Sequence, residues 1–354
     1  MQNENIKING CSLFTNVGID ETYFSQHNIN MVLANELLKE RCDFYAHLYP
    51  KSEIICGDIT QKKIFDLMVK KYKEKNCDFL IATPPCQGMS VAGKMNPNDI
   101  RNLLIVQTVD FIKKTLPSNI IIENVPGILK FKIIVNNKNI KITDYIEENL
   151  TPLGYTINYQ VLDAADYDTP QFRKRAIFLI SKNGKWEFPE KSKQHITVQD
   201  AIGSLPSLES GEDSGIKYHK ANIHNSNHIL WMKHTPTGKT ALDNKEFFPN
   251  INGRKIHGYS TTYKRMDWNK PAPTITMCNG GISSQNNVHP GHKLDDGTYS
   301  DARVLTILEL LRLMGLPDDW NIPENASDSL IRKVLGEAFP PKFAEKMLTT
   351  MPKK

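Results

Sequence analysis

The chain has 354 residues, with 44 Lys and Arg against 39 Asp and Glu and a formal net charge of +5. No apolar stretch approaches the roughly 18 residues of a membrane span, and the opening MQNENIKING has no basic segment leading into an apolar one, so neither a membrane anchor nor a secretory leader is expected. The six cysteines (11, 42, 56, 77, 86 and 278) form no C-x-x-C pair, which argues against a disulfide framework and a zinc ribbon, and for reduced thiols in the cytoplasm.

Taken in order, NGCSLFTNVGI (9–19) reads as a short strand, a tight turn and the start of a helix. NMVLANE (30–36) is a second strand ending in an acid, and SEIICGDIT (52–60) a third ending in Gly-Asp. CDFLIATPPC (77–86) and NIIIENVPG (119–127) are the fourth and fifth. Between them QKKIFDLMVKKYKEK (61–75) and NLLIVQTVDFIKKTL (102–116) carry apolar residues at helical spacing. Near-continuous apolar strands alternating with helices predict an α/β fold, a doubly wound parallel sheet covered on both faces. Ligands of such sheets gather at the carboxyl ends of the strands. Glu36, Asp58, Cys86 and Glu123 all fall there.

After RAIFLISKNG (175–184) the texture changes to Pro, Gly, Ser, Asn and His with little periodicity. Regularity returns at RVLTILELLRLMG (303–315), an amphipathic helix read as core packing, and at SLIRKVLGEAFPPKFAEKMLTTM (329–351). The expected domains are therefore 1–184, a smaller loop-rich 185–270, and a C-terminal segment 271–354 whose last helix completes the first domain. Residues 214–270 hold ten Lys and Arg against three Asp and Glu, together with five of the ten histidines. A basic, aromatic-bearing segment on a near-neutral body is the footprint of polyanion binding. Within it HTPTGKT (234–240) fails as a phosphate loop, because Lys233 stands where the first Gly belongs. His224 and His228 have metal-like spacing but no adjacent Cys or acid, so they are read as surface or phosphate-facing and no metal is expected.

Cys86 stands on a stiff Pro84-Pro85 approach and before a loose exit beginning Gln87-Gly88, which suits a nucleophile that meets a substrate and is then covered. No His lies near the other strand ends, so Glu123 and the arginines of QFRKR (171–175) are its expected partners. PPCQ, then ENV (123–125), then QFRKR resemble, in this order, the hallmark motifs of cytosine-5 DNA methyltransferases of the bacterial restriction–modification type. RMDWNKPAPTIT (265–276) and GEAFPP (336–341) resemble later motifs of that family, and the resemblance spans nearly all of the chain except about 185–264.

The resemblance implies a Rossmann-like S-adenosylmethionine-dependent sheet with a target-recognition domain at 185–270. It implies a cytoplasmic, nucleoid-associated monomer that acts on double-stranded DNA, with a cognate endonuclease acting separately. Cys86 would add to carbon 6 of a flipped cytosine, Glu123 would bond the ring N3 and amine, and Arg175 and Arg173 would hold the base and its developing charge. Phe14, Asn16, Gly18, Glu36, Asp58, Ile59, Pro85, Leu104 and Ala338 would contact the cofactor, with Glu36 accepting both ribose hydroxyls. S-adenosylhomocysteine would be the product. Gln87, Ser90, Ala92, Lys233, Lys239, Arg254, Lys255, Lys264 and Arg265 would contact DNA, as would His219 and Lys220. The chain departs from the family pattern at Asn16, Ile19, Leu37, Asn102 and Glu337, where Gly, Gly, an aromatic, Gly and Asn are usual. Two rival readings are the same chemistry on tRNA, and a catalytically silent DNA-binding protein on the same scaffold.

Overall fold

The computed structural model describes residues 7–85 and 104–353. The chain divides into two compact units. The first comprises Met1–Asp163, Lys174–Lys191 and Pro341–Lys354, and the second Ala164–Arg173 and Ser192–Pro340.

In the first unit β1 (Ile8–Leu13) is followed by a 3-10 helix (Asp20–His27), β2 (Ile29–Glu36), α1 (Lys39–Leu48), β3 (Glu53–Cys56) and α2 (Lys62–Glu74). Then come β4 (Cys77–Ala82), α3 (Leu104–Thr115), β5 (Asn119–Asn124), a hairpin of β6 (Lys132–Val135) and β7 (Lys138–Lys141), α4 (Ile142–Leu150), β8 (Thr156–Asp163) and β9 (Lys174–Ser181). Seven strands form one sheet in the order β3-β2-β1-β4-β5-β9-β8. The first five are parallel, as the sequence predicts. β9 and β8 run antiparallel to their neighbours, so the all-parallel expectation fails at that edge. The reversed strand is β9, buried between β5 and β8, while β8, TINYQVLD, buries only Leu162, as befits an edge strand.

The central strands form because their side chains are apolar on both faces. Ile120, Ile121 and Ile122 of β5 are fully buried, as are Leu80 and Ile81 of β4. Each such side chain contributes about 1.5–3 kcal/mol relative to an exposed one. Strand order reverses beside β1, between β2 and β4, and that switch point opens a crevice at the carboxyl ends of the strands.

The second unit carries α5 (Val198–Ile202), α6 (Ser226–Lys233), a two-residue ladder of β10 (Asn250–Ile251) with β11 (Arg254–Lys255), α7 (Ile307–Met314) and α8 (Asp328–Glu337). With so little regular structure it is held by buried polar groups. Arg303 pairs with Glu309 at 2.8 and 2.9 Å and with Asp301 at 2.9 Å, all inaccessible to solvent. Asp301 in turn accepts from the Ser207 hydroxyl and the Leu208 N–H. These contacts bind residues past 270 to those before it, so the expected boundary at 270 does not stand, and the unit runs to 340. The boundary at 185 also moves, because Trp186 is buried in the first unit with its indole N–H on the Met347 carbonyl at 3.1 Å. The last helix, α9 (Pro341–Leu348), lies in the first unit. Among the described residues no helix is long and apolar enough to cross a membrane.

Candidate active site

At the end of β1 the chain turns through Phe14 (φ 59°), Asn16 (φ 53°) and Gly18 (φ 75°). Asn is the side-chain-bearing residue that best tolerates this region, which is how the turn forms with Asn16 where Gly is usual. Gly18 is required twice over. Its φ is left-handed, and a Cβ there would sit 2.5 Å from the Tyr49 ring and 2.8 Å from that of Tyr45. The Thr15 N–H donates to the Asn35 carbonyl at 3.1 Å and the Asn16 N–H to Glu36 Oε2 at 3.0 Å, which ties the turn to the end of β2.

Glu36 is buried and also accepts from the N–H groups of Leu37 (2.9 Å) and Leu38 (3.1 Å), both on Oε1. Burial raises its pKa, against the lowering effect of those donors and the Arg41 charge. Leu37 beside it is 60% exposed and offers an apolar platform. Asp58 uses Oδ1 to accept from the Thr60 N–H and hydroxyl, and Ile59 is buried. Asn35 donates to the carbonyls of Ile55 and Gly57 and holds this corner against β2. Pro85 is exposed, and Leu104 opens α3 half-buried.

At the ends of β4 and β5 the stiff proline segment is anchored from both sides. The Thr83 hydroxyl donates to the Phe14 carbonyl at 3.0 Å, and Asn124 Nδ2 donates to the Pro84 carbonyl at 2.9 Å. Pro84 thus joins the sheet edge of Glu123, the buried acid one residue before Asn124. Arg175 Nε meets Glu123 Oε1 at 2.6 Å, while its Nη1 donates to the Lys174 carbonyl. The antiparallel β5–β9 register puts Glu123 opposite Ile177 and Asn124 opposite Ala176, which brings Arg175 to the acid. Cys86, Gln87, Ser90 and Ala92 lie outside the described residues.

One neighbour was missed by sequence reading. Asp20 and Glu21 begin the 3-10 helix that follows the turn, and both are buried. Glu21 accepts from the Thr15 and Tyr45 hydroxyls at 2.7 and 2.8 Å. Burial pushes the carboxyl of Asp20 well above the usual range, with the Glu21 and Glu123 charges adding to the rise. The signal available in sequence was two successive acids followed by no Lys or Arg until Lys39.

A profile of the C-5 cytosine-specific DNA methylase family matches residues 8–353. The chain belongs to the C-5 cytosine-specific DNA methylase family. This methylase is 48% identical over 345 residues to the Type II methyltransferase M1.HgaI of Avibacterium volantium, covering 96% of each chain. It is 30% identical to the Type II methyltransferase M1.HphI of Haemophilus parahaemolyticus, covering 94% of this chain and 83% of that one. Its fold is shared with a prophage-encoded E. coli protein assigned as a DNA modification methyltransferase (TM-score 0.71, 20% identity, 97% and 98% covered). The methyltransferase EhMeth of Entamoeba histolytica also shares it (TM-score 0.64, 15% identity, 97% of each).

In the methylase's second unit several expected contacts fall elsewhere. Arg265 is fully buried, and its guanidinium donates to the carbonyls of Met232, His289, Ser300 and Asp301 at 2.8–3.3 Å. It is a hub of the lobe and not a DNA contact. His219 is also fully buried, with Nδ1 2.8 Å from the Ser214 hydroxyl, so it too is removed from that set. Arg173, expected at the base, is buried and donates to the carbonyls of Ile275 (2.8 Å) and Gly336 (2.9 Å), which makes it a positioning residue. His224 is half-buried: its Nε2 accepts from the Val304 N–H, and burial lowers its pKa to about 4. Ala338 is buried at the end of α8. Lys239, Arg254 and Lys255 are exposed, and Lys220 forms an exposed ion pair with Asp213. Lys233 and Lys264 are half-exposed.

Proposed function

We propose that this chain transfers a methyl group from S-adenosylmethionine to carbon 5 of cytosine in double-stranded DNA, as the modifying member of a Type II restriction–modification system. The observation that carries this reading is the Pro84–Asn124 and Glu123–Arg175 pairing at one sheet edge, which unites three motifs in the order of their family. The restriction–modification role is supported by the names of the two relatives above.

The residues present fit the cofactor. A tight main-chain turn, an oriented carboxylate at Glu36 and an orphaned oxygen of Asp20 together suit a ribose and a cationic amino acid. When bound, S-adenosylmethionine supplies an electrophilic methyl group, and S-adenosylhomocysteine is left. Glu36 would accept from both ribose hydroxyls, Asp58 would accept from the adenine amine and Leu37 would lie against the adenine face. Phe14–Gly18 offers main-chain groups, with Pro85 and Leu104 flanking.

Cys86 is the nucleophile that adds to carbon 6 of the extruded cytosine and makes carbon 5 nucleophilic. Glu123 bonds the ring N3 and exocyclic amine, and Arg175 both orients Glu123 and contacts the base oxygen. Expulsion of Cys86 after loss of the carbon-5 proton restores the enzyme. Lys233, Lys239, Arg254, Lys255 and Lys264 contribute phosphate contacts, and Gln87, Ser90 and Ala92 serve the vacated base position.

The test is to incubate the protein with labelled S-adenosylmethionine and either duplex DNA or tRNA, then digest to nucleosides. Label in 5-methyldeoxycytidine from the duplex is expected. Label confined to tRNA, or none in cytosine, would overturn the proposal.

A further inference from the structure

The sheet-edge site leaves one strong group unused. Asp20 is only 5% exposed, yet among the described residues its Oδ2 has no hydrogen-bond partner. A buried, unpartnered carboxylate oxygen is costly, and such a group calls for a cation or a proton. Its nearest titratable neighbours among the described residues are Glu21 beside it, Glu123 at the end of β5 and the Tyr49 phenol just past α1, and none of them is a cation. Glu21 is committed to two hydroxyls, and Tyr49 donates to the Gly18 carbonyl. The charged groups of α9, which packs on the same 3-10 helix, are engaged elsewhere. Lys342 meets Glu345 and the Tyr23 ring, and Glu345 also meets His27.

Asp20 therefore stands within electrostatic reach of the catalytic Glu123, two residues after the turn that closes on Gly18, and it is poised to take a positive charge from a ligand. We propose that Asp20 receives the α-ammonium group of the cofactor's methionine moiety and so selects an amino-acid-bearing adenosyl ligand. This rests on reading the sheet edge as the S-adenosylmethionine site. A cationic amine fits better than water, because a cation compensates a charge on Asp20 beside Glu21 and a water molecule does not.

The proposal has a proton-linked consequence. Without ligand, burial and two neighbouring carboxylates hold the Asp20 proton on. Entry of an ammonium ion favours the carboxylate, so the proton leaves to solvent as the salt bridge forms. Affinity then rises with pH until the raised pKa is passed.

Calorimetric binding of S-adenosylhomocysteine, compared with its analogue lacking the α-amino group, tests this. The wild-type protein should bind the amino compound about tenfold to a hundredfold more tightly. That binding should release a proton, seen as a buffer-dependent heat, and the deamino analogue should release none. In Asp20→Asn the preference should fall to a few-fold. Equal loss of both ligands, or an undiminished preference, would overturn the assignment. If Asp20→Asn does not fold, wild-type proton release common to both ligands, or absent from both, does the same. Failure of the wild-type protein to bind either compound would instead sink the underlying site reading.

Discussion

At the scale of single residues, the proposed chemistry rests on Glu123 and Arg175. A guanidinium 2.6 Å from the buried Glu123 carboxyl fixes its direction, which lets it meet the N3 and amine edge of a cytosine. Glu123→Gln keeps the shape and removes the charge. Steady-state kinetics should show methyl transfer reduced roughly 10²–10⁴-fold, while S-adenosylhomocysteine affinity, read by calorimetry, stays within about twofold. These residues were legible in sequence because a strand-end acid after three isoleucines has few places to go. Asn16 was legible too, since only a few residue types accept its φ. Asp20 was not. An acid after a turn usually faces water, and only the packing of Tyr45, Tyr49 and β5 around it turns it into a buried, unsatisfied group. Arg265 and His219 failed for the same reason. A basic residue in a basic segment reads alike whether its donors meet phosphates or main-chain carbonyls.

Whole elements tell a similar story. The five parallel strands were readable because each is apolar on both faces, whereas β8 and the β6–β7 hairpin lack that pattern and escaped notice. In the second unit, where ladders are short, the structural load passes to charged groups, and this gives its stability a pH dependence. His289 is held neutral, with Nδ1 accepting from the Gly291 N–H, and burial lowers its pKa to about 4. The unfolded chain takes up that proton near pH 6.5, so stability should fall as pH drops from about 6.5 towards 4. Despite burial, the Arg303 charge holds the Glu309 carboxyl well below its usual range, and that of Asp301 is lowered as well. Their contribution is present above the unfolded carboxylate pKa and is lost only as pH falls through the depressed folded values. Urea unfolding at pH 7.5, 5.5 and 4.5, followed by Trp fluorescence, should show a midpoint that declines at each step. A midpoint unchanged between 7.5 and 4.5 would contradict the neutral, buried state of His289.

At the scale of the molecule, the basic run and the proposed chemistry fall in different units. The first holds the sheet edge with Glu123, and the second holds the basic run of residues 214–270. The excess of cations was plain in the sequence, but which of them face solvent was decided by folding: Lys239 and Lys255 do and Arg265 does not. The double variant Lys239→Ala, Lys255→Ala should therefore weaken binding to all duplex sequences alike. It should also flatten the plot of log affinity against log salt by up to about 1.8, roughly 0.9 for each phosphate no longer neutralised. Fluorescence anisotropy between 50 and 200 mM salt reads this directly, and an unchanged slope would remove both residues from the interface. The central claim is that Cys86 bonds covalently to carbon 6 of a cytosine taken from duplex DNA. Incubating the protein and S-adenosylmethionine with duplexes containing 5-fluorocytosine, then mapping the cross-linked peptide by mass spectrometry, tests it most directly. A stable protein–DNA adduct is expected at Cys86, and Cys86→Ser should abolish it. An adduct at another residue, or an equal yield from Cys86→Ser, would contradict it.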